Sequence, residues 1–196
     1  MIYLTLHGET VWNQERRFQG RLDSPLTPRG IHQARLMGAT LKRLVGQPPA
    51  CALVSSPLGR AHSTTQIICQ VLGIAPQRIE TDSRLAEIDL GSWAGLTREE
   101  VETRSHGSLD GSSRYDWYFR SPDGETLEAV STRLRAWLLD VELRNQPIVV
   151  VTHGVASRVL RGLYAGIPTD AALSLEVSRA AVFRLSGGLI DRLSCE

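Results

Sequence analysis

Three short, largely apolar runs constrain this chain most. They lie at residues 2–6, 50–54 and 148–151, and each ends at a polar or Gly/Pro turn. None alternates polar with apolar residues. Each therefore reads as a strand covered on both faces, as in a parallel sheet. The stretches between them have helical spacing. Residues 28–45 place Ile31, Ala34, Met37, Leu41 and Leu44 on one face, with Pro28 suited to a first helical position. Residues 57–72 carry Ala61, Thr64, Ile67, Ile68 and Leu72, and Gly73 predicts the stop. Residues 126–143 repeat Leu127, Val130, Leu134, Trp137, Leu138 and Val141 at spacings of three and four. Residues 154–165 continue with Val155, Val159, Leu160 and Leu163, then Gly166 and Pro168. Residues 181–185 and 189–193 flank Gly187-Gly188 and predict a hairpin. Strands alternating with helices predict an α/β fold, a three-layer α/β/α sandwich with a mostly parallel central sheet. A length of 196 residues suits one domain spanning 1–196.

Composition removes several function classes. Twenty-two Lys+Arg against 21 Asp+Glu give a net charge of +1, so binding to nucleic acid through bulk charge is not expected. No apolar run approaches the ~18–20 residues of a membrane span, so no membrane association is expected either. Met1-Ile2-Tyr3-Leu4 lacks the basic residues that open a secretory leader. Cys51, Cys69 and Cys195 are odd in number and far apart, which suggests buried or free thiols in a reducing compartment. A cytoplasmic location is the expectation.

Residues 103–125 break the pattern. They are rich in Gly, Ser, Asp and aromatics, and read as a small irregular cap that could cover a site or simply form a long surface loop. Ligands of open α/β sheets sit beyond the carboxyl ends of the strands. The first strand ends at His7-Gly8-Glu9-Thr10, the second at Ser55-Ser56-Pro57 with Arg60 beyond, and the third at Thr152-His153-Gly154. Two histidines and an arginine should therefore meet at one sheet edge. Helix N-termini there would favour an anion.

These residues also carry a resemblance. In order along the chain come His7-Gly8-Glu9-Thr10-Val11-Trp12-Asn13 and Phe18-Gln19-Gly20 with Asp23-Ser24-Pro25-Leu26-Thr27 and Gly30. There follow Ser55-Ser56-Pro57 leading to Arg60-Ala61, and Leu85-Ala86-Glu87-Ile88-Asp89-Leu90-Gly91-Ser92-Trp93-Ala94-Gly95. Asp123-Gly124-Glu125-Thr126 and Val151-Thr152-His153-Gly154 close the series. Together the blocks resemble the histidine phosphatase superfamily, the clan of cofactor-dependent phosphoglycerate mutases and related phosphatases. The resemblance implies that His7 attacks phosphorus and becomes a phosphohistidine. It needs an unprotonated ring nitrogen, with the other nitrogen held by a backbone acceptor. Arg60 and His153 would stabilise the phosphoryl oxygens, and Asn13, Gln19 and Gly20 would add neutral donors to the phosphate. Glu87 would protonate the leaving oxygen and then deprotonate the attacking water. No spacing of His, Cys, Asp or Glu suits a metal ion, and neither a metal nor another cofactor is expected.

One position departs from the family. Its first block reads Arg-His-Gly, whereas Leu6 precedes His7 here. Leucine offers neither charge nor a hydrogen bond. An arginine of the 16–21 segment, or Arg114 or Arg120 of the cap, is a candidate substitute. Arg16, Arg17 and Arg21 themselves read either as the rim of an anionic site or, slightly preferred, as a solvated face. Two functions follow. The first is a metal-independent phosphatase for a small phosphorylated metabolite, of the compact branch because the cap is too short to shield a mutase intermediate. The second is a phosphate-ligand binding or regulatory protein weakened as a catalyst by Leu6. Tyr115, Trp117, Tyr118 and Phe119 could wall the leaving-group side. The family often dimerises, which leaves a homodimer open.

Overall fold

A computed structural model describes residues 1–46, 49–112 and 115–196. The apolar runs become β1 (Ile2–Leu6), β2 (Ala52–Ser55) and, with β3 (Ile79–Thr81) intervening, β4 (Ile148–Thr152). The tail hairpin forms β5 (Ala181–Ser186) and β6 (Leu189–Ser194). The six strands lie in the order β3-β2-β4-β1-β5-β6. The first four run parallel, whereas β5 pairs antiparallel with β1 and β6 with β5. Every residue of β1 and β4 is buried, as expected of central strands covered on both sides.

The pleat divides the core in two. Ile2, Leu4, Val54, Ile148 and Val150 pack with α5 (Leu127–Glu142) and α6 (Gly154–Ala165). Tyr3, Leu53, Val149 and Val151 pack with α2 (Pro28–Val45) and α3 (Gly59–Leu72) on the opposite face. Successive side chains of a strand point to opposite faces, so unbroken apolar runs are what a sheet covered on both sides requires. The fold is the expected α/β sandwich.

Helix limits follow local chemistry. Thr27 caps α2 by accepting from the Gly30 amide, and Pro28 begins it. Gly73 and Gly166 end α3 and α6 in the left-handed conformation. α3 starts two residues later than its apolar pattern suggests, because Ser56, Pro57 and Leu58 turn the chain out of β2. The sequence pattern did not reveal α1 (Val11–Gln14), α4 (Arg98–Arg104), α7 (Thr169–Leu173) or β3. All are short. α1 and α4 are set by capping boxes, Thr10 with Asn13 and Thr97 with Glu100, and not by an apolar stripe.

Residues 103–125 are less irregular than expected. They begin in the end of α4, pass through turns, and enter a 3-10 turn at Trp117–Arg120. Trp117 is buried and stacks between Phe18 and Tyr118, each ring centroid 4.2 Å away. Residues 113 and 114 lie outside the described residues, and with them Arg114 as a candidate substitute for the missing arginine.

Cys51, Cys69 and Cys195 are all free and buried. Burial pushes the Cys69 thiol up to about 11, so it stays protonated near neutrality. No helix among the described residues is long and apolar enough to cross a membrane.

Candidate active site

The loop after β1 carries His7. A backbone bond from the His7 amide to the Thr152 carbonyl (3.1 Å) extends the β1–β4 pairing up to the site. The next residue, Gly8, lies against α2 so closely that a Cβ there would collide with the Gly30 carbonyl. A Cβ on Gly30 would in turn collide with the Glu9 carbonyl. Two glycines thus let the helix touch the loop that carries His7. Thr64 of α3 ties the same loop from the other side: its hydroxyl accepts from the Gly8 amide (3.0 Å) and donates to the Arg60 carbonyl (2.8 Å).

The His7 ring is buried, with Nδ1 2.7 Å from the Gly8 carbonyl oxygen. A carbonyl only accepts, so Nδ1 carries the proton and Nε2 keeps a free lone pair. Burial, together with the Arg60 and Arg179 guanidinium groups, holds the imidazole pKa well below its usual value. The Gly8 carbonyl opposes this without reversing it. His7 is therefore neutral near pH 7. His153 lies beside it, with ring centroids 5.2 Å apart and planes at 51°. Its Nε2 is 2.7 Å from the Ser56 hydroxyl oxygen, and its buried Nδ1 has no partner. Burial, then Arg60 and His7, also hold it well below the usual histidine value.

Arg60 is 3% exposed and clamped by the loop carrying Gln19 and Gly20. Its Nη1 donates to the Leu22 carbonyl (2.7 Å) and the Asp23 carboxylate (2.9 Å), and Nη2 donates to the Gly20 carbonyl (2.7 Å). Its buried Nε is unpartnered. Gly20 can turn the chain here because its φ is +53°, a region glycine enters without strain. Gln19 is buried, with its side-chain oxygen unpartnered.

The expected use of helix N-termini is corrected in one respect. The first amides of α3 and α6 are occupied by the protein's own carboxylates. Asp23 accepts from the Gly59 and Arg60 amides. Glu87 accepts from Val155 (3.2 Å) and Ala156 (3.0 Å) as well as from Ile88 (3.1 Å). The positive helix ends thus anchor acids, one of which holds Arg60 and the other of which faces the cavity. A second clamp positions Glu87. Arg133 donates to Glu125 through Nε (2.7 Å) and Nη2 (3.0 Å), and to the Ala86 carbonyl (2.9 Å) through Nη1. Burial alone would push the Glu125 carboxyl up, but Arg133 and the Asp89 amide bring it below the usual range.

His7, Asn13, Gln19, Gly20, Arg60 and Glu87 line one cavity of about 310 Å3. His153 is fully buried next to His7. The structure thus brings together all seven residues expected from sequence. Asn13 Oδ1 accepts from the Thr10 amide (3.1 Å) and from Arg179 (3.0 Å), which fixes the orientation of its amide and leaves Nδ2 to donate elsewhere. The aromatic wall is corrected. Trp117 and Tyr118 reach the cavity with Phe18, whereas Tyr115 and Phe119 pack on the core. Arg158 and Arg179 also line it, and sequence reasoning missed both. Arg17 lines the cavity while paired with Glu100 (2.8 Å) and Glu15 (3.2 Å), and Arg21 lies 3.5 Å from Glu125. Arg17 and Arg21 are thus ion-paired, and of the three arginines Arg17 alone is among the residues that line the cavity. Arg120 holds the Asp110 and Gly111 carbonyls and is not at the cavity, so it is no substitute for the missing arginine. Among the described residues no cluster of His, Cys, Asp or Glu is placed to hold a metal ion.

A buried histidine with a free Nε2, a second histidine, a clamped arginine and a carboxylate at the carboxyl edge of a parallel sheet define a phosphoryl-transfer site. The model of the histidine phosphatase superfamily (branch 1) matches residues 2–188, and the chain belongs to that family. It is 36% identical over 195 residues to a Citrobacter koseri protein named "Probable phosphoglycerate mutase GpmB", covering 94% of this chain and 83% of that one. The solved structure of YhfR from Bacillus stearothermophilus superposes with a TM-score of 0.79 at 29% identity, covering 98% of this chain and 95% of that one. The α-ribazole phosphatase of Shigella flexneri shares the fold, with a TM-score of 0.79 at 21% identity and coverage of 99% and 95%.

Proposed function

We propose that this chain is a metal-independent phosphatase that hydrolyses small phosphomonoesters through a phosphohistidine at His7. The observation that carries this reading is the hydrogen bond from His7 Nδ1 to the Gly8 carbonyl, which leaves Nε2 as the nucleophile in a cavity shared with Arg60 and Glu87. Nε2 would attack phosphorus while the ester P–O bond breaks, and Glu87 would give a proton to the leaving oxygen. Glu87 would then take a proton from water as that water attacks phosphorus, releasing inorganic phosphate and neutral His7. Arg60 and Asn13 Nδ2 would meet the phosphoryl oxygens in both steps.

Hydrolysis is favoured over mutase chemistry by the cap. Among the described residues it contributes only Trp117 and Tyr118 to the cavity lining, so little would shield a phosphohistidine from water. The test is turnover of an aryl phosphate in EDTA, run beside the interconversion of 2- and 3-phosphoglycerate. Sustained phosphate release in EDTA supports the proposal. Interconversion faster than release would make the chain a mutase. Thermal stabilisation by phosphate without turnover would make it a binding protein, the reading that Leu6 favours.

Phe18, Trp117 and Tyr118 would receive the leaving group. Trp117 is also part of the core, so Tyr118, half-buried at the cavity, is the cleaner probe. Tyr118→Ala should raise KM for an aryl phosphate by about 3–10-fold, the value of one aromatic contact, while leaving inhibition by inorganic phosphate unchanged. An unchanged KM would remove these rings from substrate recognition.

A further inference from the structure

Leu6 is 1% exposed, and the cavity takes no atom from it. The cavity nevertheless holds a guanidinium besides that of Arg60. Arg179 lies in the segment joining α7 to β5 and lines the cavity with His7, Asn13 and Arg60. Sheet topology puts it there. β5 runs antiparallel to β1, with Leu4 opposite Phe183, and the Thr5 hydroxyl donates to the Ala181 carbonyl (3.1 Å). The chain entering β5 therefore passes the end of β1 from which His7 emerges.

The contacts of Arg179 are incomplete for a half-buried cation. Its Nη2 donates to Asn13 Oδ1 (3.0 Å), but its buried Nε has no partner. No salt bridge joins it to a carboxylate among the described residues, although Glu9 and Glu87 act on it from a distance. A guanidinium removed from water without a carboxylate is costly to keep, unless an anion completes its environment. The same charge, with that of Arg60, acts on His7.

We propose that Arg179 binds the phosphoryl group and serves as the second guanidinium of the site, supplied by the segment before β5 and not by the residue preceding the nucleophile. This rests on the phosphatase reading for its catalytic part, whereas its anion-binding part stands apart from turnover. Planar N–H groups of Arg179 and Arg60 would then reach the phosphoryl oxygens together with Asn13 Nδ2. Arg179 would also fix the Asn13 amide that does so.

The experiment compares unmodified protein with Arg179→Ala, Arg179→Lys, Asn13→Ala and the Asn13→Ala/Arg179→Ala double variant. Two readouts are used: affinity for inorganic phosphate by calorimetry, and kcat/KM for an aryl phosphate. Arg179→Ala should weaken phosphate binding tenfold or more and lower kcat/KM by about 10²–10³, with Arg179→Lys recovering only part. Its Tm without phosphate should hold or rise, since an unpaired half-buried cation has gone. A purely structural arginine would lower it. The double variant should lose more than Asn13→Ala alone, and equality would reduce Arg179 to a positioning residue for Asn13 and overturn the proposal. Unimpaired binding and hydrolysis in Arg179→Ala would also overturn it while leaving the phosphatase reading intact. Arg179-dependent phosphate binding in a protein without turnover would sustain the anion site and remove the phosphatase reading.

Discussion

His7→Ala should reduce aryl phosphate hydrolysis by a factor on the order of 10⁶, by comparison with removal of a catalytic nucleophile in other enzymes. The size of the effect follows from the division of labour in the site. In the proposed mechanism Arg60, Asn13, His153 and Glu87 position and stabilise the phosphoryl group, while His7 Nε2, left unprotonated by the bond from Nδ1 to the Gly8 carbonyl, is the atom that attacks. Inorganic phosphate should therefore still bind the variant, within about tenfold of the unmodified protein, because its charged donors remain. A second readout separates the covalent route from direct attack by water. Rapid quenching of the unmodified protein with labelled substrate should trap a phosphoenzyme that survives alkali and is lost in acid, as a P–N bond is, and His7→Ala should trap none. Hydrolysis in His7→Ala close to that of the unmodified protein, with no phosphoenzyme trapped in either, would mean that water attacks phosphorus directly and that His7 only binds.

What could be read in the sequence, and what could not, divides along physical lines. The central strands were legible because burial on both faces leaves no alternation, and β1 was read with its observed limits. The long helices were legible because each turns one apolar stripe to the sheet, and α2 likewise kept its expected limits of 28 and 45. β3, with three half-exposed or exposed residues, has no apolar pattern to read. Within the site, the convergence of the residues in the family blocks was legible, since each block carries its own side chain to the strand edge. Arg179 was not, because its role depends on β5 lying beside β1, a pairing that periodicity along the chain does not encode. A hairpin was expected there, but not its neighbour. The occupation of two helix N-termini by Asp23 and Glu87 was hidden for the same reason, since both contacts join residues distant in sequence.

The buried histidine pair of the candidate site should also make the fold acid-sensitive. In the native protein, burial and the Arg60 charge hold His7 and His153 well below the usual value of 6.5, whereas in the unfolded chain both regain it. As pH falls below 6.5, the unfolded chain takes up two protons that the native state refuses. Stability is thus fully present above 6.5 and is lost on acidification, with a slope approaching about 1.4 kcal/mol per pH unit for each histidine. While the native rings stay neutral, unfolding free energy should be lower at pH 5.5 than at pH 7.5 by on the order of 3 kcal/mol. The carboxylates that neighbouring donors hold low, Asp82, Asp123 and Glu125, have reference values of 3.8, 3.8 and 4.5, so their contribution falls away only in more acid solution. The window between about 4.5 and 6.5 accordingly reports the histidines. Urea titrations at the two pH values test this, and His7→Ala should roughly halve the difference. A difference unchanged in that variant would show that native His7 takes up a proton over the same pH range as it does in the unfolded chain. The same outcome would mean that burial and Arg60 do not keep the ring neutral in mild acid, so a stability measurement bears directly on the protonation state that nucleophilic attack requires.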